Sequence, residues 1–167
     1  MTTSANGVAR PTPRFLFSHP AHFLALGFGA GLSPVAPGTF GTLVALPLHL
    51  LLRRLLSDPV YLLVIAGMFA AGVWICGVAG RNLGVHDHGG IVWDEITAFL
   101  LVLFFVPAET AWEAFAFLLF RLFDILKPPP IRRVDQSVPG GLGVMLDDVV
   151  AAFYALLCLA LWKVLTG

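Results

Sequence analysis

The chain has 167 residues, zero formal net charge, 58% hydrophobic residues and only 12% charged ones, with a mean hydropathy of +0.88. Soluble domains are about half apolar and about a quarter charged, so too few polar side chains are present to cover a soluble surface, and an integral membrane protein is expected. A neutral chain without a basic stripe gives no support for nucleic-acid binding, and two cysteines inside apolar runs, Cys76 and Cys158, imply no disulfide framework.

In chain order, residues 1–14 carry Arg10, Arg14 and two prolines and read as a mobile tail. The apolar stretch after it is interrupted by Ser18, His19, Pro20 and His22. It lacks the clean apolar core and cleavage site of a signal peptide, so its retention is expected. Residues 15–32 read as one short helix lying at the membrane interface, and 33–42 (SPVAPGTFGT) as an ordered loop. Apolar helices follow over 43–56 and 60–79, joined by the turn Ser57-Asp58-Pro59. The second is long enough to span a bilayer at ~20 residues, whereas the first needs Arg53 and Arg54 to snorkel.

Residues 96–126 pose a topological question. As one straight helix they would rise ~1.5 Å each and overrun the ~30 Å hydrocarbon core, stranding Asp94 and Asp124 on opposite sides. Val106-Pro107-Ala108 offers a break, so a helical hairpin over 95–106 and 110–127 is predicted, with short arms that are tilted or re-entrant. The last apolar helix is predicted over 149–164. The expected fold is all-α: a small helical integral membrane protein with about four membrane helices, drawn from two hairpin-like pairs and a C-terminal helix, plus the N-terminal interfacial helix. Three spans with a re-entrant pair is the alternative, and 15–167 form a single membrane-embedded domain in either case.

This folding puts 33–42, 81–95, 121–135 and 140–148 on one side. With Arg10 and Arg14 of the tail counted on that side, seven of the ten Lys and Arg residues fall there, leaving Arg53, Arg54 and Lys163 opposite, so the positive-inside rule makes that side cytoplasmic. Seven of the ten acidic residues also lie in these polar knots: Asp87, Asp94, Glu95, Asp124, Asp135, Asp147 and Asp148. Carboxylates beside hydrocarbon are costly and mark cation or charge handling.

One acid would cap the helix that follows Trp93, but Asp94 and Glu95 come as a pair, which exceeds that need and suits a hard cation such as Mg²⁺. His86-Asp87-His88 before Gly89-Gly90 points to metal positioning or proton transfer. Zinc would need further His or Cys at ligand spacing, and His19 and His22 are the nearest candidates. Arg121, Asp124 and Lys127 recur every three residues on one helix flank, giving a metal carboxylate beside two cations for an anionic substrate. Pro128-Pro129-Pro130 ends that helix and holds Arg132 and Arg133 near the same surface, for phosphate or for lipid headgroups. Gly140-Gly141-Leu142-Gly143 precedes a second acid pair, Asp147 and Asp148, while free backbone N–H groups at Pro37–Thr42, with Thr39, could take an anion.

Together, GFGAGLSPVAPGTFGT (27–42), GVHDHGGIVWDE (84–95), FRLFDILKPPPIRR (120–133) and GGLGVMLDD (140–148) resemble the phosphatidylglycerophosphatase A family, in family order and over nearly the whole chain after the tail. The resemblance implies a Mg²⁺-dependent phosphatase of the bacterial inner membrane that converts phosphatidylglycerophosphate to phosphatidylglycerol and phosphate, within phospholipid biosynthesis. Asp94, Glu95, Asp124, Lys127, Asp147 and Asp148 match the family's charged positions, and His86, Asp87 and His88 match its GVHDH segment. Pro139 stands where a family histidine is expected, so no acid role is carried to it.

Phosphate-monoester hydrolysis demands strong charge neutralisation. Carboxylates would hold one or two Mg²⁺, Arg121, Lys127, Arg132 and Arg133 would neutralise phosphate, and attack by water or by an aspartate stays open. An ion or substrate transporter and a non-catalytic lipid-binding subunit are the other function classes. Transport sites lie near mid-bilayer on broken helices, whereas these acids cluster at helix ends on one side and no internal repeat is visible.

Overall fold

The computed structural model describes residues 10–166, with all their side chains except that of Asp135. The described residues form eight α-helices and a 3₁₀ segment and contain no strand. Two short helices, α1 (Pro13–Leu16) and α2 (Pro20–Ala25), lead into the 3₁₀ segment Gly27–Leu32. The long helices are α3 (Pro37–Leu55), α4 (Asp58–Leu83), α5 (Trp93–Phe105), α6 (Thr110–Leu126) and α8 (Gly140–Thr166), with the short α7 (Ile131–Ser137) between the last two.

The helical hairpin falls where Pro107 breaks the apolar run, within two residues of expectation at every end. Three expectations need correction. The single interfacial helix over 15–32 is instead three short pieces: Pro20 starts a new helix after the break at 17–19, and Gly27 (φ 52°), Phe28 (φ 59°) and Gly29 (φ 109°) take left-handed backbone that no α-helix continues. The loop over 33–42 ends early, since α3 begins at Pro37, whose fixed φ suits a first helical turn. The glycine-rich run 140–143 is not a loop before α8 but its first turn, which puts Asp147 and Asp148 inside the helix rather than ahead of it. Of the expected tail, 1–9 lie outside the described residues, and Pro13 and Arg14 belong to α1.

α5 is the inner helix: ten of its thirteen residues are buried. It packs against α3, α4 and α8, and α8 in turn lies against α4, α6 and α7. Its apolar stretch Phe99, Leu100, Val102 and Leu103 forms the centre of the core, with Phe120 stacked on Phe99 at a centroid separation of 5.5 Å. α4 and α8 approach closely because Gly141 faces α4. A Cβ there would run into the Val73 carbonyl and stand 2.7 Å from the Gly77 nitrogen, the small-residue packing that brings apolar helices together.

Two helices, α4 and α8, are long and apolar enough to cross a membrane, with mean hydropathies of 2.3 and 2.1 over their best stretches. Large apolar side chains cover the outside of the bundle, among them Leu63 and Trp74 on α4, Leu118 and Ile125 on α6, and Phe153, Leu157 and Leu161 on α8. A contiguous exposed apolar surface of this kind marks contact with lipid or a partner. At thirteen residues α5 is only ~20 Å long, so the α5–α6 hairpin does not match the bilayer arm for arm.

Candidate active site

The start of α5, the third turn of α8, the last turns of α6 and the first turn of α3 converge at one end of the bundle. From α5 come Asp94 and Glu95, and from α8 comes Asp148, with 6%, 9% and 3% of their surfaces exposed. One carboxylate oxygen from each of these three lies within 4.8 Å of the others. Asp94 Oδ1, Glu95 Oε2 and Asp148 Oδ2 are all buried without a hydrogen-bond partner.

Three carboxylates this close and this dry repel one another strongly, and each leaves an oxygen whose desolvation nothing offsets. A divalent cation answers both problems at once. The donor set is all oxygen, with no His or Cys among the three, which suits Mg²⁺ and not zinc. The residues present therefore fit the metal that the motifs led us to expect.

The positive half of the site stands beside this trio. Arg121 Nη1 lies 2.5 Å from Asp124 Oδ2, 3.5 Å from Glu95 Oε1 and 3.4 Å from Thr42 Oγ1. Its Nε is buried and unpartnered. Asp124 sits against Asp148, so the arginine joins the edge of the carboxylate cluster. Lys127 caps α6 in left-handed backbone (φ 42°) and places Nζ 2.5 Å from Asp147 Oδ2 and 3.9 Å from Asp87 Oδ2. Asp147 Oδ1 also accepts the Asp148 backbone N–H at 3.0 Å. Thus Asp147, expected as a metal ligand, faces the lysine, while its neighbour Asp148 faces the cluster. Adjacent residues on a helix point about 100° apart, and the pair divides accordingly.

The other predicted site residues lie farther out. Asp87 ties the His86–His88 loop to the site through Lys127. His86 is exposed and rests against the first turn of α8, where a Cβ on Gly143 would stand 3.4 Å from its Cε1. His88 Nδ1 accepts the Gly90 N–H at 3.0 Å and so shapes the loop. Arg132 and Arg133 are exposed on α7. The Pro128–Pro130 turn before it is held by the Tyr154 hydroxyl, which donates to the Pro129 carbonyl at 3.1 Å.

Two contributors were missed in the sequence. Thr42, not Thr39, reaches Arg121, and it also donates to the Gly38 carbonyl at 2.8 Å. Gly38 is the second: a Cβ there would run into Glu95 Oε1 and come within 3.0 Å of both Arg121 terminal nitrogens. The spacing of Gly38 and Thr42, four residues apart, places them on one helical face. That signal was readable once the segment was taken as helix instead of loop.

The chain is similar in sequence to known proteins. The family described as Phosphatidylglycerophosphatase A matches residues 23–163, which contain every site residue named above. A phosphatidylglycerophosphatase A from Haemophilus influenzae is 44% identical over 148 residues, covering 88% of this chain and 91% of that protein. One from Escherichia coli is 45% identical over 139 residues, covering 83% and 80%. A protein from Bacteroides thetaiotaomicron, provisionally named a phosphatidylinositol-3-phosphatase, is 35% identical over 151 residues, covering 86% and 94%. No solved structure matches the chain.

Proposed function

Because the chain belongs to the phosphatidylglycerophosphatase A family, we propose that it hydrolyses the terminal phosphate of phosphatidylglycerophosphate, giving phosphatidylglycerol and phosphate in phospholipid biosynthesis. The observation that carries the reading is the trio Asp94, Glu95 and Asp148, each with a buried unpartnered oxygen, beside Arg121.

In this mechanism Asp94, Glu95 and Asp148 hold Mg²⁺. When bound, the ion would supply charge neutralisation and Lewis-acid polarisation at the phosphoryl group. Arg121 is kept in place by Asp124 and Thr42 and directs its guanidinium toward the phosphoryl oxygens, a planar donor suited to that geometry. Lys127 adds a second positive charge from the end of α6, with Asp147 and Asp87 fixing its position. His86 and His88, on the loop that Asp87 anchors, supply the imidazoles for proton delivery to the departing alkoxide. Arg132 and Arg133 lie outside the cluster and meet the anionic headgroup layer. Thr39, in the first turn of α3, adds a hydroxyl donor, its own N–H being donated to the Ala36 carbonyl at 3.0 Å.

The placement we propose has α4 and α8 crossing the inner membrane, with α3 and the α5–α6 hairpin completing about four membrane helices and the carboxylate end on the cytoplasmic side. What supports that side is the split of seven Lys and Arg residues against three. The Bacteroides relative's name favours testing a second headgroup, an inositol 3-phosphate lipid, at the same site.

The experiment is phosphate release by the detergent-purified protein from phosphatidylglycerophosphate and, separately, from phosphatidylinositol 3-phosphate, with wild type and Asp94→Asn. Release from the first lipid, reduced more than about a hundredfold in a folded Asp94→Asn protein, is expected. Preference for the inositol lipid would transfer the assignment to that substrate, and release from neither would remove it.

A further inference from the structure

At the opposite end of the bundle from the carboxylates lies a cavity of about 610 Å³, walled by the ends of α3, α5 and α8 and the start of α6. Lys163 at its rim lies about 22 Å along α8 from Asp148, so the two sites are separate. Phe104, Trp112, Phe153 and Leu156 make the walls apolar, and the two charged residues that line it, Arg53 and Lys163, are both cations.

Arg53 is fixed in position. Its Nη1 lies 3.0 Å from Asp58 Oδ1, its Nη2 donates to the Phe104 carbonyl at 2.9 Å, and its guanidinium carbon sits 5.2 Å from the centre of the Phe104 ring. Lys163 is exposed, with no carboxylate partner among the described residues. Glu109 and Glu113 stand near the start of α6 but do not line the cavity. The walls therefore offer hydrocarbon together with one unpaired positive charge, Lys163, beside the Arg53 guanidinium that Asp58 holds. Trp112 in the wall and Trp162 beside Phe115 add the aromatic pair typical of a membrane interface.

We infer that this cavity binds an anionic phospholipid of the leaflet opposite the carboxylate site, one acyl chain filling the apolar walls and the phosphate meeting Lys163 and Arg53. Charge complementarity selects this occupant. A zwitterionic lipid would fill the same walls equally well but carries a cation of its own toward Lys163. A preorganised arginine contributes more per contact than a mobile one, since less freedom is lost on binding. The inference is independent of which lipid phosphate the enzyme hydrolyses.

The test is lipid retention by the detergent-purified full chain, followed by native mass spectrometry during titration with dioleoylphosphatidylserine and, separately, dioleoylphosphatidylcholine. Wild type is compared with Lys163→Gln, which removes the free charge, and with Ala160→Trp, which fills the cavity. Both positions are exposed on the last turns of α8, so both variants should fold, as an unchanged melting curve would verify. The expected result is a preference of about fivefold or more for phosphatidylserine in wild type, lost in both variants. Equal retention of the two lipids by wild type, or a preference that survives in either variant, would overturn the inference.

Discussion

At the scale of single residues, the site depends on an atom that is missing. Gly38 lets the first turn of α3 lie against Glu95 and Arg121, and a methyl group at that position has nowhere to go without displacing one of them. Burial alone would suggest a harmless change, because alanine is the better helix former. The expected outcome for Gly38→Ala is therefore unequal: activity falls about tenfold or more, because Arg121 and Glu95 are moved from their positions, while the melting temperature of the detergent-solubilised protein changes little. A variant with wild-type turnover would show that the α3 contact does not shape the site. At this scale the sequence was readable for charge and poorly readable for direction. Asp94, Glu95, Asp124 and Arg121 stood out as carboxylates and cations beside hydrocarbon, and the fold brings them together. The division of labour between Asp147 and Asp148 could not be read, because it depends on which helical face meets α6 and which meets α5. Gly38 and Thr42 were overlooked because Pro37–Thr42 looked like a loop.

At the scale of elements, proline was a better guide than glycine. Pro107 marked the hairpin turn, and the three prolines after Lys127 marked the end of α6. Glycines were ambiguous, since the same residue serves a turn or a close helix contact. Within 140–143 both uses occur: Gly140 (φ 72°) takes left-handed backbone where α8 begins, while Gly141 fits α8 against α4. The N-terminal region failed for a different reason. Its first break falls before Pro20, but its second comes from left-handed backbone at Gly27, Phe28 and Gly29, which an amino-acid pattern announces weakly. What then holds α2 in place is a buried histidine. Asn82 Nδ2 donates to His22 Nε2 at 2.7 Å, which leaves the ring proton on Nδ1 facing the Phe15 carbonyl at 3.1 Å, and Phe15 stacks on the ring at 3.9 Å. Burial pulls the His22 pKa below its ordinary value of 6.5 despite the Phe15 carbonyl, with His19 adding to the lowering. The unfolded chain therefore takes up the proton first as pH falls. The stability this contact contributes is complete above pH 6.5 and is lost on acidification through the folded-state value. A protonated ring would also turn an N–H toward the Asn82 amide. Hydrogen exchange over α1 and α2, corrected for intrinsic rates, should accelerate as pH drops below about 6.5 in wild type and should lack that step in His22→Gln. Identical pH profiles for the two would rule out the latch.

At the scale of the whole molecule, composition settled most of the outcome. A chain with 58% hydrophobic residues and few charges must hide its polar work in one place, and the bundle does so by meeting three helix ends and one helix interior at a single site. α5, the innermost helix, begins at that site, so its paired acids are buried by the same packing that forms the core. Burying Asp94, Glu95 and Asp148 together is costly, a cost that the proposed cation would offset, and this makes the carboxylate trio the centre of the proposed function. The number of bilayer crossings was less legible, since apolar length measures a helix and not its tilt or its neighbours.

The most direct measurement is a Mg²⁺ titration of phosphate release from phosphatidylglycerophosphate by wild type, Asp148→Asn and Asp147→Asn. If Asp94, Glu95 and Asp148 hold the metal, Asp148→Asn should raise the Mg²⁺ concentration for half-maximal activity by about tenfold or more, beyond any change in Asp147→Asn, whose carboxylate faces Lys127. A metal-independent wild type, or an Asp148→Asn protein with an unshifted Mg²⁺ curve, would contradict the account.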